Sequence, residues 1–194
     1  MADLQPPGRG LPNWERACLS SVLKLGAFIS SDSTILKRFQ LETRRIQQLY
    51  DDDESYDVFQ TLLIPRVIGI EDSSRNWSIA MVLEHLHLVN KDLTTAIDAL
   101  GRGIVPHGEI DVAIYKPDED LGTDVMQRMR DTNENYCQVI ETIMKRHGRL
   151  PHTPHFDHPW FGPLNAHQWH ALAAAHQTIH RRQIQKIIAM LGVT

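Results

Sequence analysis

The sequence predicts an all-α protein, a four-helix bundle with long crossover loops. Three observations carry this expectation. Four long stretches repeat apolar residues at helical spacing, none shows the strict alternation of a half-buried strand, and two long connections between helices are punctuated by Pro and Gly. At 194 residues the chain is long enough for one well-filled core. It reads as a Pro- and Gly-rich loose lead-in over 1–12 and a single helical domain over 13–194.

The first helical pattern runs from about Trp14 to Tyr50. Leu19, Val22, Leu23, Leu25 and Ile29 give way to Ile35, Leu36, Phe39, Ile46 and Leu49. Ser30-Ser31-Asp32-Ser33 interrupts it and offers caps for a segment starting at Thr34. The pattern fits one bent helix or two. Residues 51–76 form an acidic, irregular connection. The apolar run 59–67 inside it is broken by Pro65 and suits a short buried segment.

Trp77–Leu100 is the clearest helix, stopped by Gly101-Arg102-Gly103. Residues 101–121 hold Pro106, Gly108 and Pro117 and read as a crossover loop. Val125–His147 is the third helix, with Met129, Tyr136, Ile140 and Ile143 toward the core and Gly148 as its stop. Residues 152–165 are a proline-punctuated loop. Ala166–Leu191 is the last helix, closed by Gly192.

The composition is 42% hydrophobic and 23% charged, as in ordinary globular proteins, and the net charge is −4. Basic residues are spread along the chain, which argues against a nucleic-acid partner. The first ten residues have no apolar signal core, and no stretch reaches the roughly 18–20 apolar residues of a membrane span. Two cysteines, Cys18 and Cys137, make no disulfide framework. The expectation is a cytoplasmic protein that does not enter a membrane.

Histidine is the unusual component. Seven of the eleven fall between His152 and His180. His176 and His180 are four apart, hence on one helical face, which they share with Trp169, Ala173, Gln183 and Ile187. That face is mostly apolar, so both imidazoles should point inward and need hydrogen-bond partners or a metal. A chance pair on a histidine-rich helix is the plainer reading. Gln177 stands where a zincin would carry its Glu, which argues against a metalloprotease.

A third ligand must come from another helix. Around 79–97, Ile79, Val82, Leu83, Leu86, Leu93 and Ile97 define the core direction. His85 then lies among Met81, Val82, Leu88, Val89 and Ala96, whereas His87 shares its side with Glu84, Lys91, Thr94 and Asp98. His85 is therefore the candidate ligand and His87 a surface residue. The competing reading of His85 is a core histidine bonded to a carbonyl or carboxylate. Glu84-x-x-His87 also fits half of a di-iron carboxylate site, but the chain has no second copy. Three imidazoles without carboxylates suit zinc, nickel, copper or Fe(II) and leave coordination positions open. His152, His155 and His158 either line a pocket mouth or are exposed, and His167 and His170 read as surface or capping residues. His107 and His147 carry no signal.

Three landmarks in register resemble the DinB-like (YfiT-like) superfamily of metal-binding bundles. Trp77-Ser78-Ile79 followed by His85 is similar to its Trp-Ser helix start. His158-Pro159-Trp160-Phe161-Gly162-Pro163-Leu164 resembles its lead into the last helix. Trp169 with His176-x-x-x-His180-x-x-Gln183-Ile184 resembles its closing motif. Order and separation agree from about 15 to 192. The resemblance implies a homodimeric bundle holding one divalent metal, zinc or nickel foremost and iron or copper also, through His85, His176 and His180. It implies thiol-dependent S-transferase or isomerase chemistry with a low-molecular-weight thiol as co-substrate. A metal that activates a thiol or a water makes the expected function a transferase or hydrolase acting on a small molecule. No residue names the thiol. Arg181 and Arg182 are candidate contacts for a carboxylated one, and Glu84 and Asp157 are the nearest candidate bases. The alternative is a non-catalytic, dimeric binding or stress-response bundle with a structural or vestigial metal site.

Overall fold

The computed structural model describes residues 4–51 and 57–192, so part of the acidic connection lies outside the described residues. Among the described residues five α-helices hold most of the chain: α1 (Asn13–Ile29), α2 (Asp32–Asp51), α3 (Ile79–Gly101), α4 (Val125–His147) and α5 (Ala166–Leu191). The first helical pattern is thus two helices. The break is local chemistry. Ser31 Oγ accepts the Thr34 N–H at 3.2 Å, starting a new helix where α1 stops. The other boundaries follow the sequence signals. Ser78 Oγ caps α3 by accepting from the Met81 N–H at 3.1 Å, and α5 opens with a reciprocal capping box between Asn165 and Gln168. Gly148 ends α4 at φ +76°, a left-handed position where glycine has no Cβ penalty.

The chain also pairs two short antiparallel ribbons, which the sequence reading does not anticipate. β1 (Leu62–Leu63) pairs with β2 (Asn76–Trp77), and β3 (His155–His158) with β4 (Gly162–Asn165) in the register His155↔Asn165 to His158↔Gly162. The loop expected over 152–165 is therefore largely a hairpin. Four residues per strand are too few to stand out as a period. The alternation is nevertheless there: His155 and Asp157 face solvent, Phe156 and His158 turn inward.

α3 packs against α4 and α5, α2 against α5 and α4, and α1 along α5. Two apolar clusters fill the spaces between them. One gathers Phe39, Leu100, Tyr136, Ile140, Leu164 and Trp169; the other gathers Ile46, Ile64, Trp77, Leu83, Met129 and Ile184. Buried ion pairs tie the elements together. Glu15 of α1, fully buried, meets Arg66 and accepts the Gly69 N–H at 2.6 Å. Glu42 of α2 takes Arg181 of α5 at 2.5 Å.

His167 and His170, expected at the surface, are buried. His167 donates from Nδ1 to Asp32 Oδ1 at 2.5 Å and from Nε2 to the Ala27 carbonyl at 2.7 Å. Both nitrogens face acceptors, which is the bonding pattern of an imidazolium. Asp32 also accepts the Leu150 N–H at 2.9 Å. His170 bonds the Asp32 carbonyl and the Tyr136 hydroxyl. The break between α1 and α2 supplies these acceptors, so a histidine at the start of α5 closes that end of the molecule. No helix among the described residues is long and apolar enough to cross a membrane.

Candidate metal centre

α3 and α5 bring His85, His176 and His180 into one cluster. One ring nitrogen from each lies within 4.8 Å of the others, so the three could hold a metal ion. His85 Nε2 and His176 Nε2 are 3.2 Å apart. The residues that share their faces behave as the spacing requires. Trp169, Ala173, Gln183 and Ile187 are buried, and Trp77 packs on the His85 ring with 5.1 Å between centroids. Among the described residues this is the one group of three or more histidine, cysteine or carboxylate side chains placed for a metal.

The hydrogen bonds fix which nitrogens are free. His85 Nδ1 is 2.7 Å from the Tyr115 carbonyl, which only accepts, so the proton is on Nδ1 and Nε2 carries a lone pair. His180 Nδ1 donates to Gln183 Oε1 at 2.8 Å, while Gln183 Nε2 donates to the Ser74 carbonyl at 2.7 Å. The second bond sets the amide orientation and hence the first. Both rings thus carry their lone pair on Nε2, and that of His85 faces His176. This is how outer-shell partners orient metal-binding histidines. His176 Nδ1 is buried without a partner. Leaving such a group unpaired costs about 1–3 kcal/mol.

Burial keeps the three rings uncharged. It pushes His85 down to about 4, against the opposing pull of the Tyr115 carbonyl. His176 and His180 are pushed well below the ordinary value, first by burial and then by the neighbouring histidines. Neutral imidazole is the form that binds a metal. The 3.2 Å contact between His85 Nε2 and His176 Nε2 is a hydrogen bond when His176 carries its proton on Nε2, and leaves two lone pairs open to a cation when that proton sits on the unpartnered Nδ1. In the second tautomer the residues present fit a divalent ion of the nitrogen-preferring kind.

The cluster lies at the wall of a cavity of about 390 Å³. Val89, Leu93, Trp77, Phe156, Trp169 and Leu172 make it largely apolar. The connection 101–121 contributes Pro106 to Lys116, with a short 3-10 turn over Val112–Tyr115 that delivers the Tyr115 carbonyl. The lead-in closes another side through Pro7 and Leu11. It is held by the Gly8 and Gly10 N–H groups on Glu71 and the Gln5 N–H on Asp72.

Several candidates stand elsewhere. His87, expected at the surface, is half-buried and bonds Thr132 of α4 at 2.6 Å. Glu84 pairs with Arg128 at 2.9 Å, and Asp157 is exposed; neither lines the cavity. Arg181 is bound to Glu42 and Gln185, away from the cavity. Gln177 joins a buried polar chain with Asn133, Asn90 and Thr43. His152 and His155 are exposed, whereas His158 lines the cavity. Sequence reasoning missed Tyr115, which acts through its backbone carbonyl, and Ser74, for the same reason. Compared with protein-family models, curated proteins and solved structures, the chain matches none.

Proposed function

We propose that the chain is a DinB-like metal-binding bundle that acts as a divalent-metal-dependent thiol transferase or hydrolase. One observation carries the reading: three neutral imidazoles converge on an apolar cavity, two of them with tautomers fixed toward the centre by Tyr115 and Gln183. His85, His176 and His180 would hold the ion. A divalent ion there supplies a Lewis acid that favours a thiolate or hydroxide near neutral pH.

The protein's own residues do the rest. Tyr115 and Gln183 orient two of the ligands. Trp77, Val89, Leu93 and Trp169 exclude water and strengthen every polar interaction inside. The cavity is within the size range of small-molecule sites. A homodimer is part of the proposal. α1 leaves Val22, Leu25, Phe28 and Ile29 exposed at 62–87%, an apolar face suited to a second copy.

The test is metal analysis of protein purified without a histidine tag, followed by a panel of low-molecular-weight thiols with an electrophilic acceptor. The reading expects about one zinc or nickel per chain and thiol consumption lost in His176→Ala/His180→Ala. Metal content equal in wild type and double variant would overturn it.

A further inference from the structure

His158 is in the cavity but is arranged in the opposite sense to the cluster. Its Nδ1 accepts the Trp160 N–H at 3.0 Å, inside the β3–β4 turn. A neutral histidine whose Nδ1 accepts must carry its proton on Nε2. His85 and His180 donate from Nδ1 and present Nε2 lone pairs. The Trp160 N–H therefore bars His158 from joining them as a neutral ligand through Nε2, since that would require a proton on Nδ1. Phe161 stacks on the ring at 4.6 Å and Trp169 lies at 5.3 Å, which fixes its plane. Among the described residues Nε2 has no hydrogen-bond partner. Burial pushes His158 down to about 4, so the ring stays uncharged at neutral pH.

The rest of the lining narrows what this N–H would meet. It is mostly aliphatic and aromatic, with Glu71, Asp92, Glu109 and Asp111 among its polar groups. Among the described residues of the lining, Lys116 is the one lysine and there is no arginine. An anionic ligand finds no guanidinium clamp and several carboxylates. An uncharged, mainly apolar molecule buries surface there at no such cost, and its one oxygen can accept from His158.

We propose that His158 is the polar anchor of the cavity, donating from Nε2 to an accepting oxygen on an uncharged, largely apolar small molecule. The assignment rests on the reading of this cavity as the substrate site and adds the ligand class and the residue that selects it.

The experiment uses the full chain, wild type, His158→Phe and His158→Gln, and three probes: 2-acetylnaphthalene, 2-ethylnaphthalene and 2-naphthoate. Binding is read by calorimetry and metal content by mass spectrometry on the same samples. Phe keeps the stacking but has no donor; the Gln amide can replace the Nε2–H. Wild type is expected to bind the ketone at least tenfold more tightly than the carboxylate. His158→Phe should lose about tenfold for the ketone, the scale of one hydrogen bond, and little for the hydrocarbon. His158→Gln should recover most of the loss.

Equal losses for ketone and hydrocarbon would overturn the proposal, reducing His158 to packing. So would carboxylate binding as tight as ketone binding, failure of all three probes to bind wild type, or loss of metal in both variants. Wild-type protein without metal that still discriminates among the probes, in a His158-dependent way, would support the anchor while refuting the metal-dependent reading.

Discussion

Gln183 holds His180 through an amide whose two ends are both engaged: Oε1 accepts from His180 Nδ1 at 2.8 Å, and Nε2 donates to the Ser74 carbonyl at 2.7 Å. The orientation of one histidine of the cluster, on α5, is thereby set by the backbone of the connection that precedes α3.

Gln183→Leu removes that orientation while keeping an apolar side chain of similar size. Zinc affinity should fall about 10–100-fold, the usual loss on removing an outer-shell partner. Competition with a fluorescent chelator measures it. An unchanged affinity would show that Gln183 only fills space.

Metal removal should lower the melting temperature of wild type and leave His176→Ala/His180→Ala unmoved. With free metal at 100 times Kd the linkage is about 2.7 kcal/mol, which for a chain of this size corresponds to roughly 5–10 °C. Scanning calorimetry with and without EDTA decides it. Equal shifts in both proteins would place the stabilising metal elsewhere.

The metal-free protein should lose stability as pH falls from 6.5 toward 4. His85, His158 and His170 are all pushed by burial to about 4. Unfolded, they take up protons near 6.5. Their contribution is present above 6.5 and is lost as pH falls toward the folded values. Urea midpoints across that range test this; a flat profile would show that the rings are not held neutral.

His167 should behave in the opposite sense. Its bond to Asp32 raises it, outweighing burial, with help from the Ala27 carbonyl. Burial would raise the Asp32 carboxyl, but the bonds from His167 and the Leu150 N–H hold it below its ordinary value. The His167 contribution is full below 6.5 and disappears as pH rises through the folded value. The Asp32 contribution is full above 3.8 and disappears as pH falls through its own. The destabilisation caused by His167→Gln should therefore be largest between about pH 4 and 6.5 and shrink at higher pH. A penalty that grows with pH would contradict the pairing.

Phe28→Glu with Val22→Glu should shift the protein toward monomer in light scattering at micromolar concentration, with its helical spectrum unchanged. Both side chains are exposed in the single chain, at 87% and 67%, so a large loss of fold stability is not expected. An unchanged mass would remove α1 as the dimer face.

The helices and the histidine cluster were legible because both are periodic. Helical phase alone separates His85 from His87, and spacing alone pairs His176 with His180. What escaped was set by partners far along the chain. His167 and His170 carry no local sign that the Ala27 and Asp32 acceptors, some 140 residues earlier, would bury them. Tyr115 and Ser74 act through carbonyls, which every residue type shares. The β3–β4 ribbon is short, and its signal is the alternation of four residues flanked by prolines.

His158 and the cluster histidines His176 and His180 belong to one unbroken stretch of chain, joined by a hairpin of fixed register and a helix with a capped start. Such a stretch works as a ruler. A side chain along it can be exchanged with local effect, but one residue inserted between Asn165 and His176 would turn both cluster histidines about 100° around α5 relative to His158. Length between these positions, more than identity, is what a working version of this site must preserve.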